Sequence, residues 1–277
     1  MTHLIAMGFL TNRITVISQY LYERARYGTP EVVGPVGKEV LFILDGVGRF
    51  QIAPLMVRKI LREQGNSLAT VLYDWQFGLM GEVWTDLMWL RRNQVMAAKL
   101  ARKLLAFRRT YPDTTIHVLA FSGGCGIAVF ACEKLRGRQI VETLVLACPA
   151  LSPEYNLAPA LSAVRRCYAL ISRHDRWILG AGTRVFGTTD RRFSAAAGCV
   201  GFKQPVRLSD DQADLYARLQ QLHWSPALTA LGHHSGHTGW VSAGFLKRHL
   251  LPLLCGSPLV DEYEAVACVG DQDEPAA

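Results

Sequence analysis

The sequence predicts an α/β protein with a mostly parallel central sheet flanked by helices. Three observations carry that expectation. Short apolar runs recur, and each passes through a polar or glycine-rich turn into a helical pattern. The runs are apolar almost throughout rather than alternating, as strands buried on both faces require. Half of the 277 residues are hydrophobic, and Gly (24) and Pro (12) are ordinary in number. That composition suffices for a sizeable core and excludes collagen-like, low-complexity and wholly disordered chains.

Taken in order, residues 1–30 read as a helical segment, ended by Gly28-Thr29-Pro30. The first strand is expected at Glu39–Leu44 (EVLFIL). It runs into Asp45-Gly46-Val47-Gly48 and then a helix at 54–62. The second strand, 68–73 (LATVLY), leads through Asp74-Trp75 to a long helix at 82–109. Leu87, Leu90, Ala97, Leu100, Ala101, Leu104 and Leu105 fall on one side of that helix. Arg91, Arg92, Lys99, Arg102, Lys103 and Arg109 fall on the other, as a solvated face. Tyr111-Pro112 stops the helix. The third strand is 115–120 (TIHVLA), turning at Phe121-Ser122-Gly123-Gly124 into a helix at 125–135. Strands at 143–147 and 167–172 follow. The last strand is expected at 228–231, before a helix at 242–251. Residues 180–207 read as an irregular excursion. The expected organisation is an N-terminal helical segment (1–30), one α/β domain (31–255) and a flexible acidic tail (256–277).

Several function classes are set aside here. No apolar run reaches the ~18 residues of a membrane span, so no integral membrane contact is expected. Leu4–Leu10 is short and no basic segment precedes it, unlike an export signal. Seven cysteines, an odd number without a CxxC pair, suit a reducing compartment. Together these point to a cytoplasmic protein. The chain is basic by seven charges, but it lacks the aromatic interleaving and modules of a nucleic-acid binder. Gly46-x-Gly48 begins a dinucleotide fingerprint, yet Gln51 stands at its third glycine position.

The chemistry concentrates at Ser122. Ala120 lies two residues before it and Gly124 two after, at a strand-to-helix junction. A turn that tight crowds its flanks, so both must be small. It projects the serine Oγ above the sheet edge, with the Gly123 N–H at a helix N-terminus where positive charge accumulates. Asp175 follows the 167–172 strand. Three histidines, His233, His234 and His237, follow the 228–231 run. Gly236 and Gly239 leave room around His237, which lies nearest the final helix. The histidine cluster lacks the i, i+4 pair of a helical metal site and has no carboxylate within it, so no metal is expected.

From the elbow through the histidine loop, the chain resembles the α/β-hydrolase fold family over roughly residues 38–254. The resemblance implies that fold with a small or absent cap. It implies the order Ser, Asp, His for a triad of Ser122, Asp175 and His237. It also implies an oxyanion hole from the backbone of Gly123 with Gly46 or Val47. Asp45 stands where relatives resemble His-Gly, and its carboxylate must turn away from a developing oxyanion. Trp75, Trp177 and Trp240 each follow a strand end or a candidate catalytic loop and are expected around the substrate. The implied activity is serine hydrolysis of a small-molecule ester or related acyl substrate, without cofactor. Pocket shape, acyl preference and oligomeric state are not encoded in these motifs.

Overall fold

The computed structural model describes residues 18–77 and 83–254. Residues 18–27 are helical, as expected. The rest of the expected N-terminal helix and the 256–277 tail lie outside the described residues.

Seven strands form one sheet: β1 (Val32–Val33), β2 (Glu39–Leu44), β3 (Ala69–Leu72), β4 (Thr115–Phe121), β5 (Val141–Ala147), β6 (Val164–Ile171) and β7 (Leu219–His223). Their order is β1-β3-β2-β4-β5-β6-β7. Every pairing is parallel except the short antiparallel β1–β3 edge. The first crossover carries the chain from β2 outward to β3. The second brings it back past β2 to β4. Strand order therefore reverses at the β2–β4 pair, and a crevice opens beyond the carboxyl ends of those two strands.

Alternation along β2 explains its continuous apolar run. Val40, Phe42 and Leu44 enter one core with Leu100 and Leu104 of the helix Leu90–Thr110 and Ile127 of the helix Gly123–Lys134. Leu41 and Ile43 enter the opposite core with Met56 and Ile60 of the helix Ile52–Glu63 and with Phe245 and Leu250 near the C-terminal end. Burying each such side chain contributes about 1.5–3 kcal/mol, and both faces of the sheet gain it.

Three expectations about elements require correction. The 82–109 helix is broken into Val83–Met88 and Leu90–Thr110 at Trp89, whose backbone leaves the helical region. The Asn93 side chain donates to the Asp86 carbonyl at 2.7 Å and so satisfies a helix-end acceptor. The last strand is β7 at Leu219–His223, whereas 228–231 lies within a 3₁₀ turn, Pro226–Leu231. β7 is an edge strand with a mostly polar sequence, LQQLH, so it lacks the apolar run that marks the others. Its Gln221 exchanges hydrogen bonds with the backbone of Phe202 at 2.6 and 2.9 Å. The two-residue β1 was not expected at all; its pairing with β3, rather than its own sequence, makes it a strand.

The excursion between β6 and β7 contains only short helical pieces, Arg176–Gly182, Thr183–Phe186, Ala197–Val200 and Asp210–Tyr216.

Gly124 is the tightest joint near the crevice. A Cβ there would lie 2.5 Å from the Asp45 carbonyl oxygen and 3.1 Å from that of Leu44. Backbone on both sides leaves nothing free to yield. Gly124→Ala is expected to lower the unfolding free energy by about 1–3 kcal/mol, read by urea denaturation. An unchanged midpoint would show that the helix can move away from β2.

Candidate active site

Ser122 sits between the end of β4 and the helix Gly123–Lys134, with φ 52° and ψ −120°. This is an uncommon conformation for a residue with a Cβ, and its surroundings hold it there. The Ser122 N–H donates to the Ala147 carbonyl at 2.9 Å. The Ser122 carbonyl accepts from the N–H groups of Ala150 and Cys125 at 3.2 and 3.1 Å. The end of β5, the loop after it and the first turn of the following helix thus fix the turn.

Asp175 follows β6 and caps the turn Arg176–Gly182, accepting from the Leu179 N–H at 3.4 Å. Its other carboxylate oxygen lies 2.5 Å from Nδ1 of His237. Nε2 of His237 lies 3.0 Å from Ser122 Oγ. An Nδ1–H donated to Asp175 leaves Nε2 as an acceptor for the serine hydroxyl. The histidine loop is tethered by the Gly236 N–H, which donates to Ser172 Oγ at 3.1 Å. Phe121 supports the imidazole from below, with ring centres 4.8 Å apart.

The other two histidines are placed differently. His233 is buried 4.8 Å from the Phe245 ring, and burial pushes its pKa down to about 3. His234 takes no part in the chain to Ser122. Asp190 accepts from the backbone and hydroxyl of Ser152 and from the Thr188 hydroxyl. Asp210 begins the helix Asp210–Tyr216. Neither follows directly from a strand end, as Asp175 follows β6.

Asp45 turns away from the crevice. Its carboxylate accepts from the N–H groups of Ile52 and Ala53 at 3.1 Å each, at the start of the helix Ile52–Glu63. Burial raises its pKa to about 6, against the lowering effect of these bonds and of the Gly46 and Gln51 N–H groups. Val47 opens a 3₁₀ turn, and Gly123 opens a helix; such first N–H groups have no partner within their own turn.

A cavity of about 430 Å³ opens beside Ser122 and His237. Phe50, Ile52, Val83, Leu87, Ile178 and Phe186 supply much of its apolar wall, and Gly46 and Val47 also line it. Of the three tryptophans expected around a substrate, only Trp177 lines it, at 87% exposure. Trp75 and Trp240 are fully buried, and the expectation for them is corrected. Trp75 donates its indole N–H to the Asp45 carbonyl at 2.8 Å. Trp240 packs 5.3 Å from the Phe121 ring. Both brace the loops from beneath. Residues after strand ends enter the core as readily as the cavity, and spacing along the chain does not separate the two.

Sequence reasoning missed Cys148, at the end of β5 with φ 49°. Its sulfur, a carboxylate oxygen of Asp175 and a ring nitrogen of His237 lie within 4.8 Å of one another. Burial, with the Asp175 charge next, pushes the thiol pKa far up, so the group adds no negative charge beside the carboxylate. Cys125, also buried, donates to the Ala120 and Ala147 carbonyls at 3.3 and 3.5 Å.

No family model matches the chain, and no curated protein matches it. Among solved structures, the chain is similar to a poly(3-hydroxybutyrate) depolymerase from Bordetella parapertussis. That likeness has 13% identity and a TM-score of 0.47, over 84% of this chain and 84% of that one. It is similar to an esterase from Pyrococcus furiosus at 12% identity and TM-score 0.45, over 76% of this chain and 83% of that one. It is also similar to a lipase from Bacillus licheniformis at 12% identity and TM-score 0.45, over 82% and 96% of the two chains. The parallel sheet and the elbow at the end of β4 give this chain the α/β-hydrolase fold.

Burial of neutral His233 has a consequence for stability. Its folded pKa is below its unfolded one, so the unfolded chain takes up the proton first as pH falls. Stability from this group is complete above about pH 6.5 and is lost on the way down toward pH 3. His233→Gln is expected to lose less stability than the wild type between pH 7 and pH 4, measured by urea unfolding at each pH. Parallel losses would place the acid sensitivity elsewhere.

Proposed function

We propose that the protein is a serine hydrolase acting on an ester or related acyl substrate, with Ser122 as nucleophile, His237 as base and Asp175 as orienting acid. The single observation that carries this reading is the hydrogen-bonded chain from Asp175 through His237 to Ser122, ending in an apolar cavity.

The chemistry follows from that chain. Nε2 of His237 accepts the Ser122 proton as Oγ attacks the acyl carbonyl carbon. Asp175 holds the imidazole tautomer and stabilises the imidazolium. The tetrahedral oxyanion accepts hydrogen bonds from the N–H groups of Gly123 and Val47, each backed by the positive end of a turn. Val47 is preferred to Gly46 because its N–H is the first of the 3₁₀ turn, whereas Gly46 precedes that turn with extended backbone. Collapse breaks the bond to the leaving oxygen, which takes the proton from His237. Water then attacks the acyl-enzyme with His237 again as base, releasing the acid and restoring Ser122. The apolar wall places a hydrocarbon acyl group in the cavity and favours a carboxylesterase or lipase-like specificity.

A fluorophosphonate probe is expected to label wild type and fail to label folded Ser122→Ala. Turnover of a 4-nitrophenyl acyl ester should fall by about 10⁴-fold or more in Ser122→Ala and His237→Ala. It should change little in His234→Ala. Absence of labelling in a folded wild type would sink the reading and leave a ligand-binding protein on a hydrolase fold.

A further inference from the structure

The segment 173–186 begins at the end of β6, presents Asp175 inward, and then forms one wall of the cavity. Its outer side is unusual for a surface facing water. Trp177 is 87% exposed, Ile178 52% and Val185 65%. Trp177 and Ile178 also line the cavity, so apolar surface runs without interruption from the reacting serine to the outside. A little further on, Phe193 is exposed, with the Arg191 guanidinium over its ring.

The charge on the same segment has one sign. Arg173, Arg176 and Arg184 are exposed, and none forms an ion pair among the described residues. The single acid between residues 173 and 189 is Asp175, buried and bonded to His237. Arg176 and Arg184 flank Gly180: a Cβ there would meet the Arg176 side chain at 3.8 Å and Arg184 Nη1 at 3.9 Å. Exposed tryptophan and aliphatic side chains interleaved with arginines match a lipid–water boundary, where apolar groups enter the acyl region and guanidinium groups meet anionic headgroups.

We propose that the exposed face of residues 173–186 docks on an anionic lipid surface, and that docking sets the cavity mouth against the lipid so that an acyl chain passes directly to Ser122. The catalytic half of this statement rests on the serine-hydrolase reading; the docking half does not. Anionic lipid is preferred to a protein partner because the apolar rim continues into the apolar cavity. A protein seated there would close the mouth. The contact is peripheral: among the described residues no helix is long and apolar enough to cross a membrane.

The test is flotation of the full chain with phosphatidylcholine vesicles, with and without 30% phosphatidylglycerol, at low and high salt. Wild type should bind the anionic vesicles at least tenfold more tightly, and salt should weaken that binding. Arg173→Gln/Arg176→Gln/Arg184→Gln should weaken it by about 100- to 200-fold, taking roughly 1 kcal/mol for each arginine at the surface. Trp177→Ala should weaken binding to either vesicle. Lys99→Gln/Arg102→Gln/Arg109→Gln, three exposed bases on the helix Leu90–Thr110, should leave binding within twofold. Ser122→Ala should bind as wild type does, so a failure of the hydrolase reading leaves this readout intact. Val185→Ser should retain turnover of a short soluble ester while binding vesicles less tightly. The proposal is overturned if wild type does not float with anionic vesicles. It is also overturned if the helix variant loses as much as the 173–184 variant, or if Trp177→Ala abolishes self-association instead of vesicle binding.

Discussion

The backbone at Ser122 depends on how closely the helix Gly123–Lys134 approaches β2. Gly124 rests against the Asp45 and Leu44 carbonyls, and no larger residue fits while both strands keep their places. That approach forces Ser122 into its positive-φ turn and lifts Oγ above the sheet edge. It also brings the loop after β2 alongside the loop after β4, so Val47 and Gly123 face the same space. A Cβ on Gly123 would in turn lie 2.7 Å from the Val47 side chain and 3.3 Å from Trp75. The reversal of strand order makes the crevice, and small residues allow its walls to come within reach of one reacting atom.

Two buried carboxylates stand at this sheet edge and do different work. Asp45 meets only backbone N–H groups, and burial outweighs them, raising its pKa to about 6. It organises the start of the helix Ile52–Glu63. Asp175 has a histidine as its partner and a turn to cap. The difference lies in what each strand end faces, since both residues follow apolar strands. The protonated Cys148 thiol beside Asp175 adds no negative charge where a second carboxylate would compete for the imidazole.

Much of this was legible in the sequence because it follows from steric rules. The Ala120-x-Ser122-x-Gly124 spacing reports a tight turn, and the order Ser122, Asp175, His237 follows the chain through successive strand ends. His237 is the histidine that lies within hydrogen-bond distance of both Asp175 and Ser122. What sequence could not show depends on partners distant along the chain. β7 is a strand because β6 offers an edge, and its Gln221 bonds to Phe202 rather than announcing a strand by pattern. Trp75 and Trp240 differ from Trp177 only in what folds over them. The break at Trp89 comes from Asn93 and Asp86, whose bonds are invisible in an amphipathic repeat.

The segment after β6 joins these levels. One short stretch presents the acid, walls the cavity and exposes the arginine and tryptophan rim. Anything that shifts its backbone alters all three together, because the Asp175 carboxylate is bonded to the Leu179 N–H within the same turn. A force on Trp177 or Ile178 at a lipid surface is therefore transmitted to Asp175 through a few covalent bonds and one hydrogen bond. On the proposed reading, rim and triad are mechanically one element, and substrate delivery and proton transfer would share the same local geometry.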